Sequence, residues 1–328
     1  MRGWILYRYT MDDMPPDKHE IKRFNEMADK LGIDLSIVKP DQFDLIVTRD
    51  DRKSVMLDGK TTPLPDFLIP RLGATTNYFA LAIIRHLERL GVTVINSSTA
   101  IETVRDKLYT QQILAASNLP VPNTMLARFP VNVDLVGKRL GFPVVVKTIS
   151  GSQGSGVYLS ENRENFEDIA TLLESTRPDA NIILQEFIAE SRGQDLRVIV
   201  IGGRAVACMR RFSTDGNFKA NVSRGGGSEP YPITPEIELL ALEATRILGL
   251  DVAGVDLLLD GDHFKICEVN SSPGFKGMER AYGDQLNIAE EIYRYTLVRL
   301  GQFVPLNHQS KDADVTDAES LPMNTTSD

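Results

Sequence analysis

The chain has 328 residues, 42% of them apolar and 25% charged, and a formal net charge of −9, a length and balance that suit two or three packed units of a globular protein. No apolar run reaches the roughly 18 to 20 residues needed to span a membrane, and the N-terminus lacks the order of a secretory signal, so a spanning helix is excluded and a cytoplasmic protein is expected. The acidic balance argues against nonspecific binding to nucleic acid.

From residue 1 to 96, strand-like apolar runs alternate with helix-like ones: GWILYRY, DKHEIKRFNEMADKLG, LSIVKP, DFLIPRLG, YFALAIIRHLERLG and VTVIN. This alternation predicts a small, open, doubly wound α/β unit. Gly32 and Gly91 stand where two of its helices must stop in left-handed backbone. A second unit, 97–188, begins with a helical stretch, SSTAIETVRDKLYTQQILAASN, capped by Ser and Thr and ended by Pro120 and Pro122. FPVVVKTISGSQGSGVYLS then reads as a buried strand, a glycine loop and a returning strand, followed by a helix at NFEDIATLLEST and a strand at NIILQEFI. A third unit, 189–304, holds a hairpin turning at Gly202-Gly203, the loop STDGNFKANVSRGGGSE, the helix TPEIELLALEATRILGL and a second hairpin from Asp251 to Asn270. Residues 305–328 are polar and acidic and are expected to form a disordered tail.

The two cysteines, Cys208 and Cys267, lie in separate apolar runs and read as small core residues, without a disulfide framework or a thiolate metal site. The four histidines show no ligand spacing.

Chemistry is suggested by DVAGVDLLLDGDHFKICEVN. If its turn centres on Asp262, antiparallel pairing sets 260 beside 264, 258 beside 266 and 256 beside 268. Asp256 and Glu268 then face each other, and Asn270, two residues on, shares their face. Like charges directly opposite are destabilising in a covered hairpin, so a cation should compensate. Hard oxygen donors without imidazole or thiolate favour Mg²⁺ or Mn²⁺. The alternatives are solvated acids on a surface hairpin, or a pair satisfied by Arg or Lys.

VVVKTISGSQGSGV places Lys147 at the exit of an apolar strand, before Gly151, Gly154 and Gly156. Glycines allow close backbone approach to a polyanion, and the lysine supplies a point charge. The spacing is neither a Walker-type phosphate loop nor a dinucleotide fingerprint, and a flexible hairpin explains it equally well.

Taken in order, RDK, PVVVK, GSQGSGV, QEFI, GQDLRVIVIGGRAV, FKANVSRGG, DVAGVDLL and CEVNSSPG resemble the ATP-grasp superfamily, specifically its RimK-type amino-acid ligases, over about residues 65 to 295. RVIVIGGR with STDG is also similar to synthetases that attach glutamate to N-acetylaspartate or citrate, while EVNSSPG is nearer to the ribosomal-protein glutamate ligase. The resemblance implies an ATP-grasp fold behind an N-terminal pre-ATP-grasp α/β domain. It implies that Lys107 and Lys147 contact ATP, that Gln185, Glu186 and Phe187 border the adenine, that Asp195 holds the ribose and that Lys219, Ala220 and Asn221 form a nucleotide-contacting loop. Asp256, Glu268 and Asn270 would be the magnesium ligands, of two ions. The implied reaction joins a carboxylate to the amine of glutamate or a similar amino acid through an acyl phosphate, on a peptide or small acid.

Arg197 and Arg211 are the expected electrostatic stabilisers and Arg224 a carboxylate clamp. A strict two-residue turn would pair Asp195 with Arg210, so a role for Arg211 requires a bulge or an altered turn. A kinase on the same scaffold and a noncatalytic nucleotide-binding regulator are the other readings. The chain is further expected to form a homo-oligomer, a dimer or tetramer.

Overall fold

A computed structural model describes residues 1–15, 18–49, 54–148, 156–220 and 225–302. The glycine loop's Gly151 and Gly154, Asn221, Arg224 and the tail from 305 lie outside the described residues.

The chain opens with β1 (Arg2–Leu6), α1 (His19–Leu31) and β2 (Asp34–Val38). It makes a small antiparallel sheet of β3 (Phe43–Leu45), β4 (Val55–Leu57) and β5 (Lys60–Thr61), then continues through β6 (Phe67–Pro70), α2 (Tyr78–Arg89) and β7 (Thr93–Val94). Strands β2-β1-β6-β7 form one parallel sheet, as α/β alternation dictates. Gly32, directly after α1, and Gly91, one residue beyond the Leu90 cap of α2, do adopt positive φ, 65° and 83°. The β3–β5 sheet is an addition to the predicted elements.

The single helical stretch expected from residue 97 is instead two helices, α3 (Ser98–Arg105) and α4 (Lys107–Ala116). Asp106 leaves helical geometry, with ψ 102°, and its carboxylate accepts the Tyr109 N–H at 2.9 Å, capping α4. The break puts Lys107 at a helix start.

A second antiparallel sheet follows, built from β8 (Thr124–Arg128), β9 (Val144–Thr148), β10 (Val157–Ser160) and β11 (Asn181–Glu186) in the order β10-β9-β11-β8. Helices α5 (Val133–Arg139) and α6 (Arg163–Thr176) cover it through Val136 and Phe166, over Val144, Val146 and Leu184. The strand, loop and returning strand predicted around Lys147 are β9 and β10, in antiparallel register.

The largest sheet orders β12 (Gln194–Ile201), β13 (Arg204–Phe212), β14 (Gly227–Pro230), β15 (Val252–Asp260) and β16 (His263–Asn270) as β14-β13-β12-β15-β16. Helix α7 (Pro235–Ile247) packs Ile237, Leu240 and Ala244 on Leu196, Val198, Val255 and Leu257. The opposite face is graded, because side chains alternate along β12. Asp195 and Arg197 make its charged end, while Ile199 and Ile201 make an apolar end that joins the core of α1 and α9 (Ile288–Arg299), beyond α8 (Lys276–Tyr282). There Phe24 meets Phe275 and Tyr293 edge to face, at centroid distances of 5.9 and 5.5 Å. One sheet therefore joins the N-terminal unit at one end and presents charge at the other.

Candidate active site

Two irregularities in this sheet build the site. The β12–β13 turn uses Gly202 and Gly203, with φ of 57° and 75°, the positive values that a tight two-residue turn requires. The ladder starts as Ile201↔Arg204, shifts by one residue between Ile199 and Val200, and reaches Asp195↔Arg211. The bulge demanded by a role for Arg211 is present. Arg210 is instead paired with Glu229 at 2.7 Å, so the expected Asp195–Arg210 alternative is not formed.

The β15–β16 hairpin reaches the predicted facing of Asp256 and Glu268 by a different path. Its turn is the two residues Gly261 and Asp262, not a turn centred on Asp262, and the ladder runs Asp260↔His263, Leu258↔Lys265 and Leu257↔Ile266. A register shift then inserts Cys267, and Asp256↔Glu268, Val255↔Val269 and Gly254↔Asn270 follow. In a regular strand, residues two apart share a face. The bulge breaks that rule, sending Ile266 into the α7 core and Glu268 to the charged face. Gln111 of α4 holds the bulge, its Nε2 donating to the carbonyls of Ile266 and Cys267 at 3.3 and 2.9 Å.

Asp256 is 4% exposed and Arg211 7%. Arg197 donates to both Asp256 oxygens, Nε to Oδ1 at 2.7 Å and Nη2 to Oδ2 at 2.6 Å. Arg211 donates in the same bidentate fashion to Asp195, at 2.6 and 2.8 Å, and its Nη2 lies 3.0 Å from Asp256 Oδ2. These paired forks are strong, charge-assisted bonds. Burial works against ionisation of Asp256, but Arg197 and Arg211 together hold its carboxyl below the ordinary value. Burial raises the Asp195 carboxyl above its ordinary value; Arg211 opposes that rise and the Asp256 charge reinforces it. Arg211 is held above the usual guanidinium range, because the two carboxylates outweigh the cost of burial. The sequence alternative of a pair satisfied by arginine thus describes Asp256, whereas Glu268 is partly exposed on the neighbouring strand.

Across from these strands stands β9. Lys147 Nζ donates to Gln185 Oε1 at 2.6 Å and lies 3.9 Å from Cys267 Sγ, next to Glu268 in the chain. Gln185, 3% exposed, is oriented in turn by its Nε2 bond to Thr124 Oγ1 at 3.0 Å. Glu186 accepts the Asn123 backbone and side-chain N–H groups at 2.9 and 2.8 Å and the Lys265 ammonium at 2.8 Å. Burial alone would raise its carboxyl, but Lys265 and Asn123 hold it below the usual value. Phe187 is covered by the Arg192 guanidinium, 5.2 Å from its ring centre. Lys219 lies over the rings of Phe218 and Tyr158, 5.3 and 5.9 Å from their centres, and Ala220 is buried.

A hard divalent cation fits these donors. Asp256 and Glu268 face each other and Asn270 follows on the same strand, where its Oδ1 could join them as a third hard donor, while its buried Nδ2, without a hydrogen-bond partner among the described residues, is left to donate to an incoming oxygen such as that of a phosphate. Among the described residues no group of three or more His, Cys, Asp or Glu could hold a metal ion. Lys265 and Gln111 are site residues that the sequence reading missed. Strand parity hid Lys265, since the expected register sets 258 beside 266, and only the observed pairing of Lys265 with Leu258 brings it to the face of Asp256.

Residues 14–101 match the RimK PreATP-grasp domain and residues 104–296 the RimK-like ATP-grasp domain. A protein of Legionella pneumophila (strain Corby) named "Probable alpha-L-glutamate ligase" is 36% identical over 281 residues, 85% of this chain and 92% of that one. A protein of the same name from Teredinibacter turnerae is 37% identical over 269 residues, 82% and 88% of the two chains. The fold is shared with the ATP-grasp ligase PsnB complexed with minimal precursor, at TM-score 0.69 and 19% identity, covering 91% of this chain and 98% of that one. It is also shared with a D-alanine–D-alanine ligase from Bacillus anthracis, at TM-score 0.64 and 17% identity, covering 92% and 98%. These relatives favour a ligase over the kinase and regulator readings. Among the described residues no helix is long and apolar enough to cross a membrane.

Proposed function

The chain belongs to the RimK-type ATP-grasp ligases, and from that premise we propose that it couples ATP hydrolysis to amide formation between glutamate and a carboxyl group on a peptide or small acid. The class of reaction, ATP-dependent ligation of a carboxylate to an amine with release of ADP, is that of the family. Glutamate is suggested by the name shared by the curated relatives, and a peptide acceptor by the precursor bound to PsnB.

The observation that carries the reading is convergence. Lys147 from one sheet and the Asp256–Glu268 pair from another approach each other at Cys267, which separates Ile266 from Glu268. In the proposed mechanism the acceptor carboxylate takes the γ-phosphoryl group of ATP, and the glutamate amine then displaces phosphate from the acyl phosphate. Lys147 would balance charge on the phosphates, with Lys107 at the start of α4 as a second cation. Glu186, Phe187 and the loop of Lys219 and Ala220 would border the nucleotide base, and Asp195 its ribose. Asp256, Glu268 and Asn270 would hold Mg²⁺ or Mn²⁺, as two ions that neutralise the transferring phosphoryl group. Arg197 and Arg211, fixed by their carboxylates, would lend positive potential to the oxyanion of the second step.

Incubating the protein with ATP, Mg²⁺, glutamate and a panel of peptides and small acids tests this by mass spectrometry. An amide product that requires both acid and amine is expected. A phosphorylated acceptor that accumulates as the end product in the presence of amine would refute the reading.

A further inference from the structure

Three side chains of the N-terminal unit take hold of the backbone that follows Asn270. Asn96 Nδ2 donates to the Ser271 carbonyl at 2.8 Å, Arg71 Nη2 donates to the Pro273 carbonyl at 2.7 Å, and the Phe275 N–H donates to Glu20 Oε1 at 3.1 Å. The grips fall on alternate residues, with Ser272 and Gly274 between them. Asn96 grips a second element as well. Its Nδ2 donates to the Val252 carbonyl at 2.7 Å, and its Oδ1 accepts the Asp251 and Val252 N–H groups at 2.6 and 2.8 Å. One side chain thereby ties the start of β15 to the residue that follows β16, the two roots of the hairpin carrying Asp256 and Glu268.

Arg71 is only 8% exposed, and its guanidinium lies 5.9 and 5.6 Å from the ring centres of Phe24 and Phe275. A guanidinium so enclosed is expensive unless its position has a purpose or a partner. Glu20 supplies the opposing charge: burial would raise its carboxyl, but Arg71 and the backbone N–H groups of Phe275 and Lys276 hold it below the ordinary value. Beneath the segment, Gly254 is the register partner of Asn270, and a Cβ there would come within 2.6 Å of Pro273 Cβ. The segment is held from above by three side chains and admitted from below by a missing one.

We propose that Asn96, Arg71 and Glu20 form a clamp that positions Asn270 and the Ser271–Phe275 segment, so that the cation affinity of the ligase site is set from the N-terminal unit. The proposal deepens the preceding functional reading and rests on it, since it takes Asp256, Glu268 and Asn270 as the cation ligands. The clamp residues are positioning residues, acting through backbone.

The test uses the full chain and its Arg71→Met, Arg71→Lys and Glu20→Gln variants, with two measurements. Hydrogen exchange of the 268–277 segment is followed in the ligand-free protein, and the affinity for a nonhydrolysable ATP analogue is measured calorimetrically with and without Mg²⁺. In Arg71→Met the segment should exchange faster, and the gain in nucleotide affinity brought by Mg²⁺ should fall by about tenfold to a hundredfold, with metal-free affinity within about twofold of wild type. Arg71→Lys should recover part of the gain, because an ammonium can still donate to the Pro273 carbonyl. An unchanged Mg²⁺ gain in Arg71→Met, or equal losses with and without Mg²⁺, would overturn the clamp. Should Arg71→Met fail to fold, Glu20→Gln, which keeps an acceptor for the Phe275 N–H, must show the same shift at smaller size, and no shift there overturns it too. A wild-type protein without any Mg²⁺ gain would instead sink the cation-site reading itself.

Discussion

On β9, Lys147 meets a neutral carboxamide, Gln185 Oε1 at 2.6 Å, while on β12 and β13 Arg197 and Arg211 meet carboxylates through forked bonds of 2.6 to 2.8 Å. The two sides of the site therefore treat charge in opposite ways. A lysine steadied by a neutral group keeps its positive charge for an incoming anion. Guanidiniums forked onto buried carboxylates are fixed in place with their charge partly offset, and three carboxylates, Asp195, Asp256 and Glu268, stand beside the two guanidiniums there. The difference teaches which substitutions should disturb chemistry alone and which should disturb the fold as well.

The largest effect is expected for Glu268→Ala, which removes the carboxylate not occupied by the forks. Ligase turnover should fall by about a thousandfold, at the upper end for a lost electrostatic element, with a melting temperature close to wild type. Near-normal turnover would dissolve the contrast between the two sides. Asp256→Ala should match it in activity and differ in stability. It strands the Arg197 guanidinium, while Arg211 keeps its fork to Asp195, and breaking a buried pair costs about 3 to 5 kcal/mol, to be read from urea unfolding. If the two variants unfold alike, the forks do not carry the weight assigned to them.

On the opposite side, Lys147→Met should weaken ATP binding by about tenfold to a hundredfold while leaving unfolding almost unchanged, because only a bond to a neutral group is lost. A stability loss as large as that of Asp256→Ala would erase the distinction.

The smallest effect concerns Glu186 and Lys265, which bridge the second and third sheets. The folded Glu186 carboxyl lies below its unfolded value, so its contribution is present above the unfolded pKa of about 4.3 and is lost as pH falls through the folded value. Lys265 lies above its ordinary value; burial opposes the rise, and Glu186 and Asp260 drive it. Its contribution is present below about 10.4 and is lost as pH rises through the folded value. Glu186→Gln should therefore be less stable than wild type near neutrality, by about 1 kcal/mol or less after solvent screening, and should converge with it in acid. A difference that persists undiminished at pH 2 would assign the loss to something other than charge.

Much of this could be read from the chain. The hairpin strands announced themselves through apolar runs and glycine turns, and the facing of Asp256 and Glu268 followed from counting back from the turn. That count succeeded through two compensating departures, a shorter turn and an inserted Cys267, neither of which a hydrophobic pattern reveals. That a bulge or an altered turn must lie between Asp195 and Arg211 was legible because a strict turn would have misplaced Arg211, and the shift falls between Ile199 and Val200. The interruption between α3 and α4 was not, since apolar periodicity continues through Asp106 and only its capping bond marks the break. Glu20, Arg71 and Asn96 were invisible for another reason. Their partners are backbone groups 155 to 255 residues distant, and backbone carries no signature of its own in a sequence.

The graded face of the large sheet has a consequence for modularity. Two family domains can be drawn on the chain as neighbours, one ending at 101 and the next beginning at 104. Yet Ile199, Ile201, Met209 and Val252 belong to the same core as Phe24 and Phe67. Excising the second domain would uncover a continuous hydrophobic plane, each fully buried side chain of which is worth about 1.5 to 3 kcal/mol. The boundary in the sequence is not a boundary in the interior, and a recombined enzyme would have to exchange both halves of that plane together.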